Sequence, residues 1–283
     1  MDRTSRRDIL KISSTAIVAG LAGCTDTDGF FAPSNTTENA ENDAQRERIE
    51  ELEDRIESKN ERIEALHREE SISEFSTDIV EQAEAMAKAA RESVVTVSGD
   101  RAGGTGWVLD ATKGHVVTNS HVVTGDESFS IETFGGDTGS ATRVGYYREM
   151  IPDVALLQTD LDGLQELPTG DESTLRPGDP LVTIGHPGSI GNWIMSMGRH
   201  EEYDARFETL YSTVPTSQGN SGGPLLTLEG DVVGIVSGSR VPERGGEGDF
   251  SKSEVVYTQL PEPERSTTSA PVETLLESVD EWT

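Results

Sequence analysis

Disulfide bonds within the chain are excluded at the outset, because its 283 residues include one cysteine, Cys24. The fold must therefore hold by packing alone. Lysine is nearly as scarce, with Lys11, Lys59, Lys88, Lys113 and Lys252 the only ones. Against 52 Asp+Glu stand 23 Lys+Arg, a net charge of -29, so no basic stripe exists for a phosphate backbone and nucleic acid is not an expected partner. Aromatic residues make up 5% and hydrophobic residues 33%, which suits one packed region with solvated segments. The most apolar early stretch, Ile12 to Gly23, is too short and too rich in Ser, Thr, Ala and Gly to span a bilayer stably. No residue pattern calls for a cofactor or a metal ion.

What is present in excess is acid, spread along the whole chain rather than gathered in a tail. A charge this far from zero repels itself unless salt screens it. Acidic surfaces poor in lysine resemble those of salt-adapted proteins. At the N-terminus, Ser5-Arg6-Arg7-Asp8-Ile9-Leu10-Lys11 resembles the twin-arginine export signal, and Leu21-Ala22-Gly23-Cys24 resembles the lipobox of lipoprotein precursors. The resemblance implies a signal peptide over residues 1–24 and lipidation of Cys24, leaving the protein on the extracellular face of the membrane through a lipid anchor. Residues 25–45 read as a disordered linker. In residues 46–70, Ile49, Leu52, Ile56, Ile63 and Leu66 follow an a/d heptad seam that Lys59 interrupts. Two readings stand open: a short coiled coil that joins copies of the chain, or a lone helical stalk. Residues 71–91 predict an amphipathic helix, with capping-box spacing at Ser71 and Glu74 and a stripe of Phe75, Ile79, Ala83 and Met86.

From residue 92 the pattern changes to short β-type runs between turn residues. These are Val94–Val97, Gly106–Leu109, His115–Thr118, Phe129–Thr133, Thr142–Tyr147, Val154–Gln158, Leu181–Ile184, Ile194–Met197, Thr209–Val214, Leu225–Leu228, Val232–Ser237 and Val255–Leu260. Their spacing predicts an all-β fold, barrels or a sandwich. Three strings stand out: Gly103-Gly104-Thr105-Gly106-Trp107-Val108-Leu109 leading to Thr118-Asn119-Ser120-His121-Val122-Val123; Pro152-Asp153-Val154-Ala155-Leu156-Leu157; and Gln218-Gly219-Asn220-Ser221-Gly222-Gly223-Pro224-Leu225. A serine hydroxyl becomes nucleophilic when a histidine takes its proton, and a carboxylate fixes that histidine's tautomer. Glycines around Ser221 let the backbone turn so that N–H groups face a developing oxyanion.

In type and in the order His121, Asp153, Ser221, these strings are similar to the catalytic segments of trypsin-like serine proteases, most of all their HtrA/Deg branch. The resemblance covers residues 92–260 and Ala270–Leu275. It implies two six-stranded antiparallel β-barrels of the chymotrypsin type over residues 92–283, the first over about 92–170 and the second over about 171–262. A C-terminal helix over about 271–280 closes them. It also implies a hydrolase with the triad His121, Asp153 and Ser221, and an oxyanion hole from the N–H groups of Gly219 and Ser221. The substrate pocket would be lined by Pro215, Thr216, Ser237, Gly238 and Ser239. No acidic residue precedes Ser221 in the trypsin manner, and the small side chains suit an uncharged aliphatic residue. The stretch after the last strand is too short for the PDZ domain that many members carry. Implied substrates are polypeptides, misfolded or exported, at the cell surface. A silent protease-like scaffold or a structural lipoprotein would share parts of this pattern; the intact triad speaks against the first and the long β region against the second.

Overall fold

The computed structural model describes residues 48, 49, 52, 55, 75–188, 190–239, 253–260 and 266–283. The chain divides into two units, Met1–Arg62 and Ile63–Thr283. In the first, Arg48, Ile49, Leu52 and Arg55 are helical, with Ile49 and Leu52 exposed. The signal, Cys24, the linker, the rest of the heptad seam and the Ser71/Glu74 pair lie outside the described residues, as does most of the Gly-rich stretch Pro242–Ser253. No helix among the described residues is long and apolar enough to cross a membrane.

The second unit opens with α1 (Thr77–Ala90) and a short 3-10 turn, Arg91–Ser93. The first ring follows: β1 (Val94–Ser98), β2 (Gly103–Asp110), β3 (His115–Thr118), α2 (Ser120–Val123), β4 (Ser128–Thr133), β5 (Thr138–Tyr146) and β6 (Ala155–Thr159). Its strands close in the order β1-β2-β3-β6-β5-β4, every neighbour antiparallel. The second ring is made of β7 (Pro180–Gly185), β8 (Ile194–Asp204), β9 (Thr209–Ser212), β10 (Pro224–Leu226) and β11 (Val232–Ser239), with β12 (Val256–Tyr257) outside it and β13 (Thr267–Pro271) completing it. It closes as β8-β7-β10-β11-β13-β9 because β9 also pairs with β8. The last element is α3 (Val272–Trp282).

Alternation explains why these strands read as continuous apolar runs. In β1, β3 and β6, Val95, Val97, Val116, Ala155 and Leu157 fill the first ring, while Val94, Val117 and Leu156 point the other way into a shared core with Ile184, Met195, Met197 and Ile235. Leu181, Leu210, Val214, Leu225 and Val233 fill the second ring. Each such fully buried aliphatic contributes about 1.5–3 kcal/mol, so the seam between the rings is as strongly cemented as either interior. Trp193 adds a bond across it, donating its indole N–H to the Val94 carbonyl at 2.8 Å.

The two-barrel expectation therefore holds, with three corrections of detail. The strand expected over Val255–Leu260 shrinks to β12, which pairs parallel with β8 and stays outside the ring. The closing strand is instead β13, so the second ring reaches Pro271 rather than residue 262. Its sequence, Thr-Thr-Ser-Ala-Pro, has no apolar alternation, and it is held by polar pairs such as Thr267 Oγ1 donating to the Val214 carbonyl at 2.7 Å. The helix expected over residues 71–91 begins only at Thr77. Its fully buried face is Ala83 and Ala87 with Ala90 behind them, small residues that let the backbone sit close against the second barrel, while Met86 is only partly buried.

Candidate active site

The first functional string folds as the end of β3 running into a single helical turn, and each side chain in it has a different task. Asn119 precedes the helix but does not cap it, because its Nδ2 donates to the Asp153 carbonyl at 2.6 Å and lies 3.4 Å from Ser237 Oγ. Ser120 Oγ donates to the Val154 carbonyl at 2.7 Å and accepts the Tyr147 N–H at 3.0 Å. Both residues are fully buried. They lock the turn bearing His121 onto the segment bearing Asp153.

The result is a carboxylate gripped twice by one residue. Asp153 Oδ2 lies 2.7 Å from His121 Nδ1, and Asp153 Oδ1 accepts the His121 backbone N–H at 3.1 Å. A carboxylate only accepts, so the proton sits on Nδ1 and the Nε2 lone pair is left facing outward as a base. Both side chains remain partly open, at 34% and 18% exposure.

Ser221 lies in the β9–β10 loop, half-buried, its carbonyl held by the Thr105 N–H at 2.8 Å. No hydrogen bond joins its hydroxyl to His121 among the described residues. The same loop presents N–H groups outward. The Gln218 carbonyl accepts the Gly188 N–H at 2.9 Å, and in a trans peptide the Gly219 N–H points the opposite way. The Asn220 carbonyl accepts from Gly223 at 2.9 Å, which turns the Ser221 N–H likewise. Neither the Gly219 nor the Ser221 N–H has an acceptor among the described residues. Gly219 has φ +105°, and a Cβ there would lie 2.2 Å from the His186 carbonyl, so no other residue fits.

The five pocket residues are gathered only in part. Thr216 Oγ1 meets Thr267 Oγ1 at 2.7 Å, and Thr267 pairs with Ser239, so β13 joins the two segments. Pro215 and Thr216 are buried in the barrel wall, the Pro215 carbonyl taken by Ser196 Oγ at 2.6 Å. Ser237 alone of the five lines the cavity of about 170 Å³ beside Asp153, with exposed Ile151 and Phe207 on its rim. A bulge between Val236 and Gly238 turns Ser237 to this side. Past Gly219 lies a wider polar groove of about 540 Å³, lined by Gly104, Glu132, Asn192 and Gln218 among others. One cavity thus borders Asp153 and the other borders Gly219.

Residues 104–235 match the family model of the trypsin-like peptidase domain. The match spans just under half of the chain. DegP, a periplasmic serine endoprotease of Escherichia coli, is 33% identical over 152 residues, covering 51% of this chain and 32% of that protein. A probable periplasmic do/HhoA-like serine protease of Haemophilus influenzae is 33% identical over 153 residues, again 51% of this chain and 32% of the other. The chain thus matches about a third of the length of these curated relatives. Among solved structures, the serine endoprotease from Yersinia pestis superposes with a TM-score of 0.58 at 24% identity, covering 70% of this chain and 66% of that one, a likeness of fold. Within the matched residues, sequence reasoning passed over Thr105, Asn119 and Ser120. All three stand inside the strings it quoted, and their signal was small polar side chains embedded in otherwise apolar strand ends.

Proposed function

We propose that this protein is an exported serine endopeptidase that cleaves polypeptides through an acyl-enzyme, with His121, Asp153 and Ser221 as its triad. The observation that carries this reading is the Nδ1–Oδ2 contact of 2.7 Å, which orients the His121 imidazole as a base. In the reaction, His121 Nε2 takes the Ser221 proton as Oγ attacks the scissile carbonyl. The N–H groups of Gly219 and Ser221 receive the oxyanion, each donor of this kind being worth roughly 10²–10³ in turnover. His121 then protonates the departing amine, and water repeats the sequence to release the acid and restore Ser221.

The periplasmic relatives, the twin-arginine string and the lipobox at Cys24 support action outside the cell, on exported or misfolded chains, from a membrane anchor. Residues 46–70 offer a coiled-coil route to a homo-oligomer. The missing bond between Ser221 and His121 favours a second reading, a catalytically silent scaffold. Fluorophosphonate labelling in molar salt separates them: wild type is labelled and Ser221→Ala is not. Folded wild type that resists labelling would sink the peptidase reading and leave the scaffold.

A further inference from the structure

Thr105 lies in β2, fully buried, where several of its polar groups meet the Ser221 loop. Its backbone N–H donates to the Ser221 carbonyl at 2.8 Å. Its Oγ1 lies 2.7 Å from the Gly219 carbonyl and 3.1 Å from the His186 N–H. The Gly219 carbonyl only accepts and the His186 N–H only donates, so the hydroxyl proton goes to Gly219 and a lone pair receives His186. Its own carbonyl is held by Thr118 Oγ1 at 2.7 Å, which ties it to the strand leading into His121. The fit is tight on every side. A Cβ on Gly104 would lie 2.8 Å from the Ser221 carbonyl, and one on Gly222 would lie 2.1 Å from the Thr105 carbonyl.

We infer that Thr105 is a positioning residue that braces the loop bearing both oxyanion donors, its hydroxyl fixing the peptide plane after Gly219 and its N–H the plane after Ser221. Gly219 is the residue most in need of such a hold. Its φ of +105° lies where only glycine is comfortable, and glycine also rotates away from it freely. The plane before Gly219 is pinned by the Gly188 N–H. The plane after it has two ties, the Asn220 N–H to the Ser217 carbonyl at 3.0 Å and the Thr105 hydroxyl on its carbonyl. Without the hydroxyl, the buried carbonyl loses its partner and the plane is free to turn toward another, carrying the loop with it. The first barrel thereby braces the donor loop as well as bearing His121 and Asp153.

The inference rests on the acyl-transfer reading, and its test is split so that the two can fail separately. Thr105→Val removes the hydroxyl at nearly constant volume, while Thr105→Ser keeps it. Thr105→Val is expected to lose about 10–100-fold in kcat with KM within about twofold, and the same factor in affinity for a peptide boronic acid. Thr105→Ser stays within about threefold of wild type in both. Wild-type kcat in Thr105→Val, or equal losses in the two variants, overturns the inference. If Thr105→Val does not fold, Thr105→Cys, whose S–H is a weak donor, takes its place. Its kcat must fall below that of Thr105→Ser, and equality overturns the idea. A wild type without turnover ends the peptidase reading but not this one, which amide hydrogen exchange over residues 217–222 then decides. Faster exchange in Thr105→Val upholds it, and unchanged exchange overturns it.

Discussion

His186 is buried beside the Ser221 loop, its Nδ1 accepting the Trp193 backbone N–H at 3.2 Å. Its ring stands edge-on to Trp193 at 4.7 Å. Burial holds its pKa down to about 4 from the usual 6.5. Between these two values the unfolded chain binds a proton that the folded one refuses, so stability rises with pH there and is lost on acidification. From about pH 7 to about pH 5 the loss from this one group is about 2 kcal/mol. Buried His115 and His200 are depressed by desolvation too and act in the same direction. His186→Asn keeps an acceptor for Trp193 and does not titrate in this window. Urea unfolding in molar salt should therefore show a smaller difference between the two pH values in this variant, and an unchanged difference would clear His186. At this scale, the sequence exposes residues whose chemistry is unusual for their surroundings. His121, Asp153 and Ser221 stand in turn-forming strings and could be named there, whereas His186, like Thr105, has a role made only by the backbone groups that fold onto it.

Gly145 and α3 show how elements lock together. The β5 strand bulges between Arg143 and Gly145, and a Cβ at Gly145 would lie 2.0 Å from the Trp282 ring. Trp282 fills that notch and packs on Tyr147 at 5.3 Å, while Tyr147 Oη reaches Ser278 Oγ at 3.2 Å. A helix that follows the second barrel is thus anchored to the first, in part through Tyr147, whose own N–H Ser120 accepts beside His121. Gly145 has no positive φ, so its backbone admits alanine and only Trp282 objects. Gly145→Ala is expected to cost about 1–3 kcal/mol in the wild type, but within about 0.5 kcal/mol of nothing when Trp282→Ala is already present. Additive costs in denaturant unfolding would show that the notch is not what holds the helix. Elements were legible where burial enforces a pattern. In the first barrel β1, β3 and β6, packed on both faces, appear as Val- and Leu-rich runs and were placed closely, whereas β5, half open, starts at Thr138 and not at Thr142. β13 was invisible because its ring closure is made by hydroxyls and backbone pairing, and α1 was started too early because its deepest contacts are alanines, which carry little weight in an apolar stripe.

For the whole molecule, the charge of -29 is the dominant unbalanced force. Ion pairs among the described residues engage few of the acids, namely Asp110, Asp126, Glu127 and Glu254, and several of these pairs are open to solvent. Exposed pairs of this kind contribute about 0–1 kcal/mol each, far too little to offset the mutual repulsion of the remaining carboxylates. Screening has to do it. Raising salt from about 0.1 M to about 1 M shortens the Debye length from about 10 Å to about 3 Å, below the spacing of most surface charges. Thermal midpoints at neutral pH should accordingly rise steeply over this range. Salt also strengthens burial by exclusion from any protein surface, whatever its charge, so a rise alone does not identify the cause. The sequence pI of 4.4 separates the two. As pH falls toward that value the carboxylates neutralise and repulsion fades, whereas exclusion persists. The gain in midpoint from added salt should therefore shrink between about pH 7 and about pH 5, even as the buried histidines lower the midpoint itself. An equal gain at both pH values would assign the effect to exclusion and not to self-repulsion.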